Sequence, residues 1–381
     1  YISGGHDNTS TVKTLQVFDP TVGFDLWLTR ERMPTARSRA AAVSVNGEIF
    51  VLGGQTAPGS FTGAVESYNP TTGRWTSKTP MPTARDGFGC CVLNGRIYCI
   101  GGRSGTWLSV TEVYDTTTDT WDTSMPVLPV ALQCLEACAV NGKIYTIGGN
   151  VAPDESVGYI YEYDPAINEW TKKNDMPTAR QQVGACVLNG KIYVIGGTIT
   201  GSGFTDVVEC YDPVLDSWDT GFAKITLARE EPGAVVANGN VYVIGGRGGE
   251  GATGRVEAYD EVNDTWIILN EMPTKREAAC TQLNGKIYAI GGNDGIHYLR
   301  TVEEYTPPGT TFTTLINDSD CDNMPDSWEV SNFGDLSHDG TGDTDGDGLT
   351  DVQEYQHSTD PNDEDTDSDG LTDGDEVNIH S

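Results

Sequence analysis

Apolar and polar positions alternate in short runs along most of the chain, and no stretch keeps the 3.6-residue period of an amphipathic helix. One line recurs with small changes: VNGEIFVLGG, LNGRIYCIGG, VNGKIYTIGG, LNGKIYVIGG, ANGNVYVIGG and LNGKIYAIGG. Asn-Gly between alternating apolar residues signals a tight hairpin, because both central positions of that turn take positive φ. Its first strand is of the type AAAVSV (40–45) or QVGACVL (182–188) and its second of the type KIYVIGG. Seven Gly-Gly pairs, beginning at residues 4, 53, 101, 148, 196, 245 and 291, mark units 46 to 49 residues apart.

After each pair comes a variable loop and then a third strand, such as VESYNP (65–70), VTEVYDT (110–116), VVECYDP (207–213) or RVEAYDE (255–261). Seven residues past its Tyr stands a Trp, at Trp75, Trp121, Trp170, Trp218 and Trp266, within a short fourth strand. MPTAR or a variant (33–37, 81–85, 176–180, 226–229, 272–276) leads into the next unit. Four short antiparallel strands per unit, repeated, predict an all-β propeller. The Gly-Gly, Tyr and Trp at fixed offsets over about 315 residues resemble the kelch repeat. A blade cannot bury its faces alone, so Tyr and Trp would fill the space between neighbours. Seven pairs favour seven blades, the first lacking its first strand, which would have lain upstream. The alternative is a six-bladed ring over 38–315, with residues 1–33 left over.

The net charge of −33 is uneven: residues 317–381 hold 21 Asp and Glu and no Lys or Arg. A field of this sign disfavours nucleic acid and anionic membranes, and no run reaches the roughly 18 apolar residues of a membrane helix. The domains expected are a propeller over 1–316 and an acidic segment over 317–381. Tyr1 lies within a strand-like run and Ser381 within an acidic motif, so the chain reads as a fragment cut at both ends. Cys91, Cys138 and Cys186 each stand three residues before an Asn-Gly, as small buried residues on a strand would, and no CxxC pair supports a zinc site.

Function on a propeller sits in the loops around its central channel rather than in the repeat. Arg37, Arg85, Arg180, Arg229 and Arg276 recur just before each first strand, near one channel mouth in kelch geometry. They are candidate ligands for an acidic peptide or sugar acid; the alternative is a repeat element bonding local carbonyls. Glu66, Glu112, Glu209, Glu257 and Glu303, two residues before each Tyr, read as repeat elements. The galactose oxidase type of kelch enzyme needs His and Tyr on one metal, and the propeller offers only His6 and His297. No GxSxG, HExxH or P-loop occurs.

The acidic segment has register as well as charge. DTDGDGLTDVQE (343–354) sets Asp343, Asp345, Asp347, Leu349, Asp351 and Glu354 at positions 1, 3, 5, 7, 9 and 12 of a calcium loop, with Gly348 at the sharp turn. The pattern recurs with Asp365, Asp367, Asp369, Leu371, Asp373 and Glu376. It recurs again with Asp318, Asp320, Asp322, Met324, Asp326 and Glu329, where Asn323 replaces the glycine. Hard oxygen donors so close together suit Ca²⁺ better than Mg²⁺, and about three ions are expected. The loops resemble thrombospondin type 3 repeats of secreted bacterial proteins. That resemblance implies a calcium-stiffened spacer with little apolar core. Loops of extracellular modules bind at roughly 10⁻⁴–10⁻³ M, which fits calcium outside a cell. The reading is an extracellular binding protein for a protein or glycan, with no enzymatic activity. An extracellular carbohydrate-active enzyme is the alternative, and the calcium loops argue against an intracellular adaptor.

Overall fold

The computed structural model describes residues 26–153, 155–308, 332–334, 341–357, 359–365 and 371–374. The chain divides into two compact units, Tyr1–Gly309 and Thr310–Ser381. Among the described residues of the first, six antiparallel four-stranded sheets succeed one another. Blade 1 runs Ala41–Val45, Glu48–Leu52, Val65–Asn69 and Arg74–Lys78. Blades 2 to 5 repeat this order with first strands Gly89–Leu93, Glu136–Val140, Gly184–Leu188 and Gly233–Ala237. Blade 6 has Glu277–Leu283, Lys286–Asn293 and Val302–Thr306 from the end of the propeller. Its fourth strand is Leu26–Thr29, from the other end.

Each hairpin turn holds the left-handed pair its sequence requires, as at Asn46 (φ 52°) and Gly47 (φ 78°). The Gly-Gly pairs serve the contact between blades. At Gly53 a β-carbon would stand 2.8 Å from the carbonyl oxygen of Arg85 in the next blade's lead-in. The backbone N–H of Gly54 donates to that same carbonyl at 2.8 Å. The equivalent bond recurs from Gly102 to Leu132, Gly149 to Arg180, Gly197 to Arg229 and Gly246 to Arg276, and Gly292 closes the ring by donating to Arg37 at 2.8 Å.

Apolar cores lie between adjacent blades, so that Val43, Phe50 and Leu52 of blade 1 pack with Ile97, Cys99 and Tyr114 of blade 2. Each third-strand Tyr meets the Trp of its own blade, as Tyr68 meets Trp75 with ring centroids 5.1 Å apart. Each such Trp also donates its indole N–H back to the preceding blade, Trp75 to Glu31 O at 3.0 Å.

The blade count corrects the favoured expectation of seven. The last unit has no Trp in its own TFTTL stretch, and Trp27 takes that place. It stacks on Tyr305 at 4.8 Å and donates to Asn270 O at 3.0 Å, as the other five do in their blades. The Trp27 segment is thus the outer strand of blade 6, and among the described residues the ring closes with six blades. Residues 1–25, with the first Gly-Gly pair and His6, lie outside the described residues. Cys91, Cys138 and Cys186 are buried on first strands, as expected.

Candidate functional site

The five repeat arginines are corrected first. Arg37, Arg85, Arg180, Arg229 and Arg276 have no exposed surface. Each lies inside its blade, bound to carbonyl oxygens and to the recurring glutamate. Arg180 donates to Gly196 O, Val207 O and Val194 O at 2.8, 2.7 and 3.1 Å and to Glu209 at 2.8 Å. The pairs Arg37–Glu66, Arg85–Glu112, Arg229–Glu257 and Arg276–Glu303 repeat it. A guanidinium enclosed in this way offers nothing to a ligand. Blade 3 lacks the pair: Leu132 and Tyr161 stand where the others have Arg and Glu, and both are buried in one apolar cluster.

The open surface of the channel begins two residues later. Arg39, Gly87, Cys134, Gln182 and Glu231 follow one another around the mouth, all at φ between 48° and 56°. They are linked blade to blade by backbone bonds from Gly87 to Arg39, Cys134 to Gly87, Gln182 to Cys134 and Glu231 to Gln182, at 2.6–3.3 Å. Four of the five are not glycine, and such a conformation persists only where surrounding structure enforces it. Below the ring lies a cavity of about 380 Å³, walled by the first strands of all six blades.

The side chains at this mouth form a mixed network. Arg39 pairs with Glu231 at 2.9 Å, although their blades are not adjacent. Gln182 donates to the same carboxylate at 2.6 Å. Arg247 pairs with Glu277 at 2.8 Å, and Arg103 with the buried Asp86 at 3.3 Å. Burial, and then the nearby charge of Glu231, push the Glu277 carboxyl up to about 8. Burial does the same to Glu136, on the channel wall. A carboxyl raised in this way takes up a proton more readily than an exposed one, and in that form it donates as well as accepts. Such a set suits a partner rich in hydroxyl or amide groups. Sequence reasoning passed over these residues because they are not repeated: the ring position holds Arg, Gly, Cys, Gln and Glu in turn. His297 is exposed and bonded to Asp294 at 3.1 Å.

In the second unit, the carboxylates of Asp343, Asp345 and Asp347 converge within 4.8 Å. The loop folds on itself: Gly346 and Gly348 donate their backbone N–H groups to Asp343 at 2.7 and 3.2 Å, and Leu349 donates to Asp347 at 2.7 Å. The helix Asp351–His357 then delivers Asp351 and Glu354, both fully buried. Neither carboxylate oxygen of Glu354 has a hydrogen-bond partner, nor has one oxygen of Asp345. A buried carboxylate left without partners is costly. Burial and the charges of Asp345, Asp347, Asp351 and Asp373 push Glu354 up to about 8. A divalent cation would satisfy those orphaned oxygens and cancel that repulsion, so the residues present fit Ca²⁺.

Asp373, from the following loop, is buried as well, and Gly374 donates to Asp347 at 2.6 Å. The cradle therefore draws on two consecutive loops, which register within one loop did not reveal. Asp365 and Leu371 are described at the surface or half-buried; Asp367, Asp369 and Glu376 lie outside the described residues. So does the whole Asp318, Asp320, Asp322, Met324, Asp326 and Glu329 set.

The family description "KLHDC2/KLHL20/DRC7 Kelch-repeats domain" matches residues 1–133 and 134–328. "Bacterial TSP3 repeat" matches 343–364 and 365–381. No curated protein matches the chain. Among solved structures, that of YjhT superposes with a TM-score of 0.63 at 16% identity, over 73% of this chain and 95% of that one. At that identity the likeness concerns the fold alone. Among the described residues no helix is long and apolar enough to cross a membrane.

Proposed function

Because the chain belongs to the kelch-repeat family and carries bacterial TSP3 repeats, we propose that it is an extracellular, calcium-binding recognition protein without catalytic activity. The propeller takes a protein or glycan at the channel mouth around Arg39, Gln182, Glu231 and Glu277. The repeats bind about three Ca²⁺ and form a stiffened spacer. The observation that carries the calcium reading is Glu354, fully buried with both oxygens unpartnered beside three converging aspartates. Affinity of roughly 10⁻⁴–10⁻³ M, usual for extracellular modules, would leave such loops empty in a cytosol and filled outside it.

Calcium calorimetry on the chelator-stripped chain tests the first half. About three equivalents should bind, and Glu354→Gln should remove one. Absence of any heat would overturn the reading. Binding of the calcium-loaded chain to arrays of glycans and surface proteins tests the second half. A captured ligand should be lost with Glu231→Gln. Capture unaffected by that change and by Arg39→Ala would move the ligand elsewhere.

One observation favours the second reading, a carbohydrate-active enzyme. Glu277, pushed up to about 8 by burial and then by the charge of Glu231 in the neighbouring blade, is a carboxyl suited to hand on a proton near neutral pH. Sustained turnover on a glycan panel, abolished by Glu277→Gln, would replace the binding-only reading.

A further inference from the structure

Blade 2 carries a pair of cysteines that its sister blades do not. Cys90 of the first strand lies directly opposite Cys99 of the second. The same register pair is Ala42–Val51, Ala137–Thr146, Ala185–Val194, Ala234–Val243 and Cys280–Ala289 in the other blades. Two cysteines thus occur together where the repeat otherwise places two small, redox-inert residues or a single thiol. Their sulfurs are 3.9 Å apart.

Register explains why the two sulfurs meet. The turn Asn94–Gly95 is flanked by the pair Leu93–Arg96, and the pair closing a two-residue hairpin is hydrogen-bonded. Hydrogen-bonded and open pairs alternate, so Cys90–Cys99, three steps on, is an open pair. Cα atoms at such positions lie about 4.5 Å apart, with side chains close, which is inside the range of about 4.4–6.8 Å that a disulfide spans. Only side-chain rotation is needed to bring the sulfurs together. Cys99 is fully buried, but Cys90 is half-buried and lines the central cavity. A small disulfide entering the channel can therefore reach one sulfur of the pair. Cys91, the sequence neighbour, points to the opposite face and opposes Tyr98.

We propose that Cys90 and Cys99 form a cross-strand disulfide that staples the inner hairpin of blade 2 at the channel wall. The chemistry is thiol–disulfide exchange with a small organic disulfide as oxidant. The Cys90 thiolate attacks one sulfur of the oxidant, forming a mixed disulfide and releasing one small thiolate. The Cys99 thiolate then displaces the second. Two protein thiols are oxidised, one organic disulfide is reduced to two thiols, and the two protons pass to the released thiolates. An oxidising extracellular setting would favour the product.

Trypsin provides a direct test, because Arg96 separates the two cysteines. The native full-length chain is incubated with cystamine, alkylated without reductant and digested. The expected product is peptide 86–96 (DGFGCCVLNGR) linked to peptide 97–103 (IYCIGGR). The link should survive in Cys91→Ser and vanish in Cys90→Ser. Recovery of both peptides separately and fully alkylated from the oxidised wild type overturns the proposal. So does a link that persists in Cys90→Ser. The wild-type digest by itself decides whether the link forms, so a variant that fails to fold takes nothing from the test.

Discussion

At the scale of the residue, the Arg–Glu pairs inside the blades show how a charge is kept in a β core. Arg180 is fully enclosed, and Glu209 and three carbonyls satisfy it. Thr178 adds a bond to the same glutamate at 2.7 Å. Such a pair contributes little net stability over an apolar replacement, but losing one partner strands the other. Blade 3 already contains the apolar replacement, since Val130, Leu132 and Tyr161 occupy the positions of Thr, Arg and Glu and pack together. Arg180→Leu alone should therefore cost roughly 3–5 kcal/mol. The triple change Thr178→Val, Arg180→Leu and Glu209→Tyr, copying blade 3, should recover most of that loss. Denaturant unfolding of the single and triple variants measures both. A triple variant no more stable than the single one would mean that the charge itself is required in blade 4.

At the scale of the element, the closing strand decides the architecture. Leu26–Thr29 pairs with Val302–Thr306, and Arg30 just beyond it donates two bonds of 2.8 Å to Glu304. Burial alone would raise Glu304. Hydrogen bonds from Arg30, Lys286 and Tyr288 outweigh it and hold the carboxyl at about 2, against an ordinary 4.5. A carboxyl whose folded value is depressed contributes stability that is complete above its unfolded value. That stability fades as pH falls from about 4.5 towards 2. The Arg30 share should be on the order of 1 kcal/mol, given the partly exposed guanidinium. Arg30→Met should flatten the acid limb of the stability–pH profile and leave the chain little changed in acid, where the wild type has already lost the bond. A profile that keeps its full acid slope without Arg30 would assign the depression to Lys286 and Tyr288. Deleting residues 1–30 should do more, because the Val302–Thr306 strand then becomes an unpaired edge. Light scattering should detect its association as concentration rises.

The closing strand also marks how far the sequence could be read. Strands, turns and the faces of the Tyr and Trp follow from short-range rules, and among the described residues of blades 1 to 5 the structure places them as expected. The ring size depends on which termini meet, and no local pattern encodes that. The missing Trp of TFTTL and the spare Trp27 together were the available signal, visible only when the first and last units are compared. The repeat arginines were legible as a pattern, but recurrence tracks the scaffold and says nothing of exposure. The channel-mouth residues stayed unread because their irregularity, the mark of a specific surface, resembles noise in a single sequence.

At the scale of the whole molecule, the uneven charge determines how calcium should act. The last 65 residues carry 21 acids and no base, so without cations their repulsion opposes compaction. The first unit has its own interblade cores and ring of backbone bonds. Chelation should therefore leave the propeller's unfolding transition in place while removing the signal of the acidic repeats. Two variants separate a true cradle from a diffuse counterion effect. Asp373→Asn removes one acid of the 21 from the following loop, and screening alone would barely register it. A β-carbon at Gly374 would lie 2.3 Å from the Asp347 carbonyl oxygen, so Gly374→Ala disturbs the junction of the two loops while removing no charge. If consecutive loops build one site, both changes should weaken calcium binding at the middle site by roughly 10–100-fold, the usual effect of disturbing a metal's supporting groups. Calorimetry at fixed ionic strength reads this as a lost or weakened equivalent. Gly374→Ala with unchanged affinity would show that each loop holds its ion alone, and the repeats would then load independently instead of ordering one another.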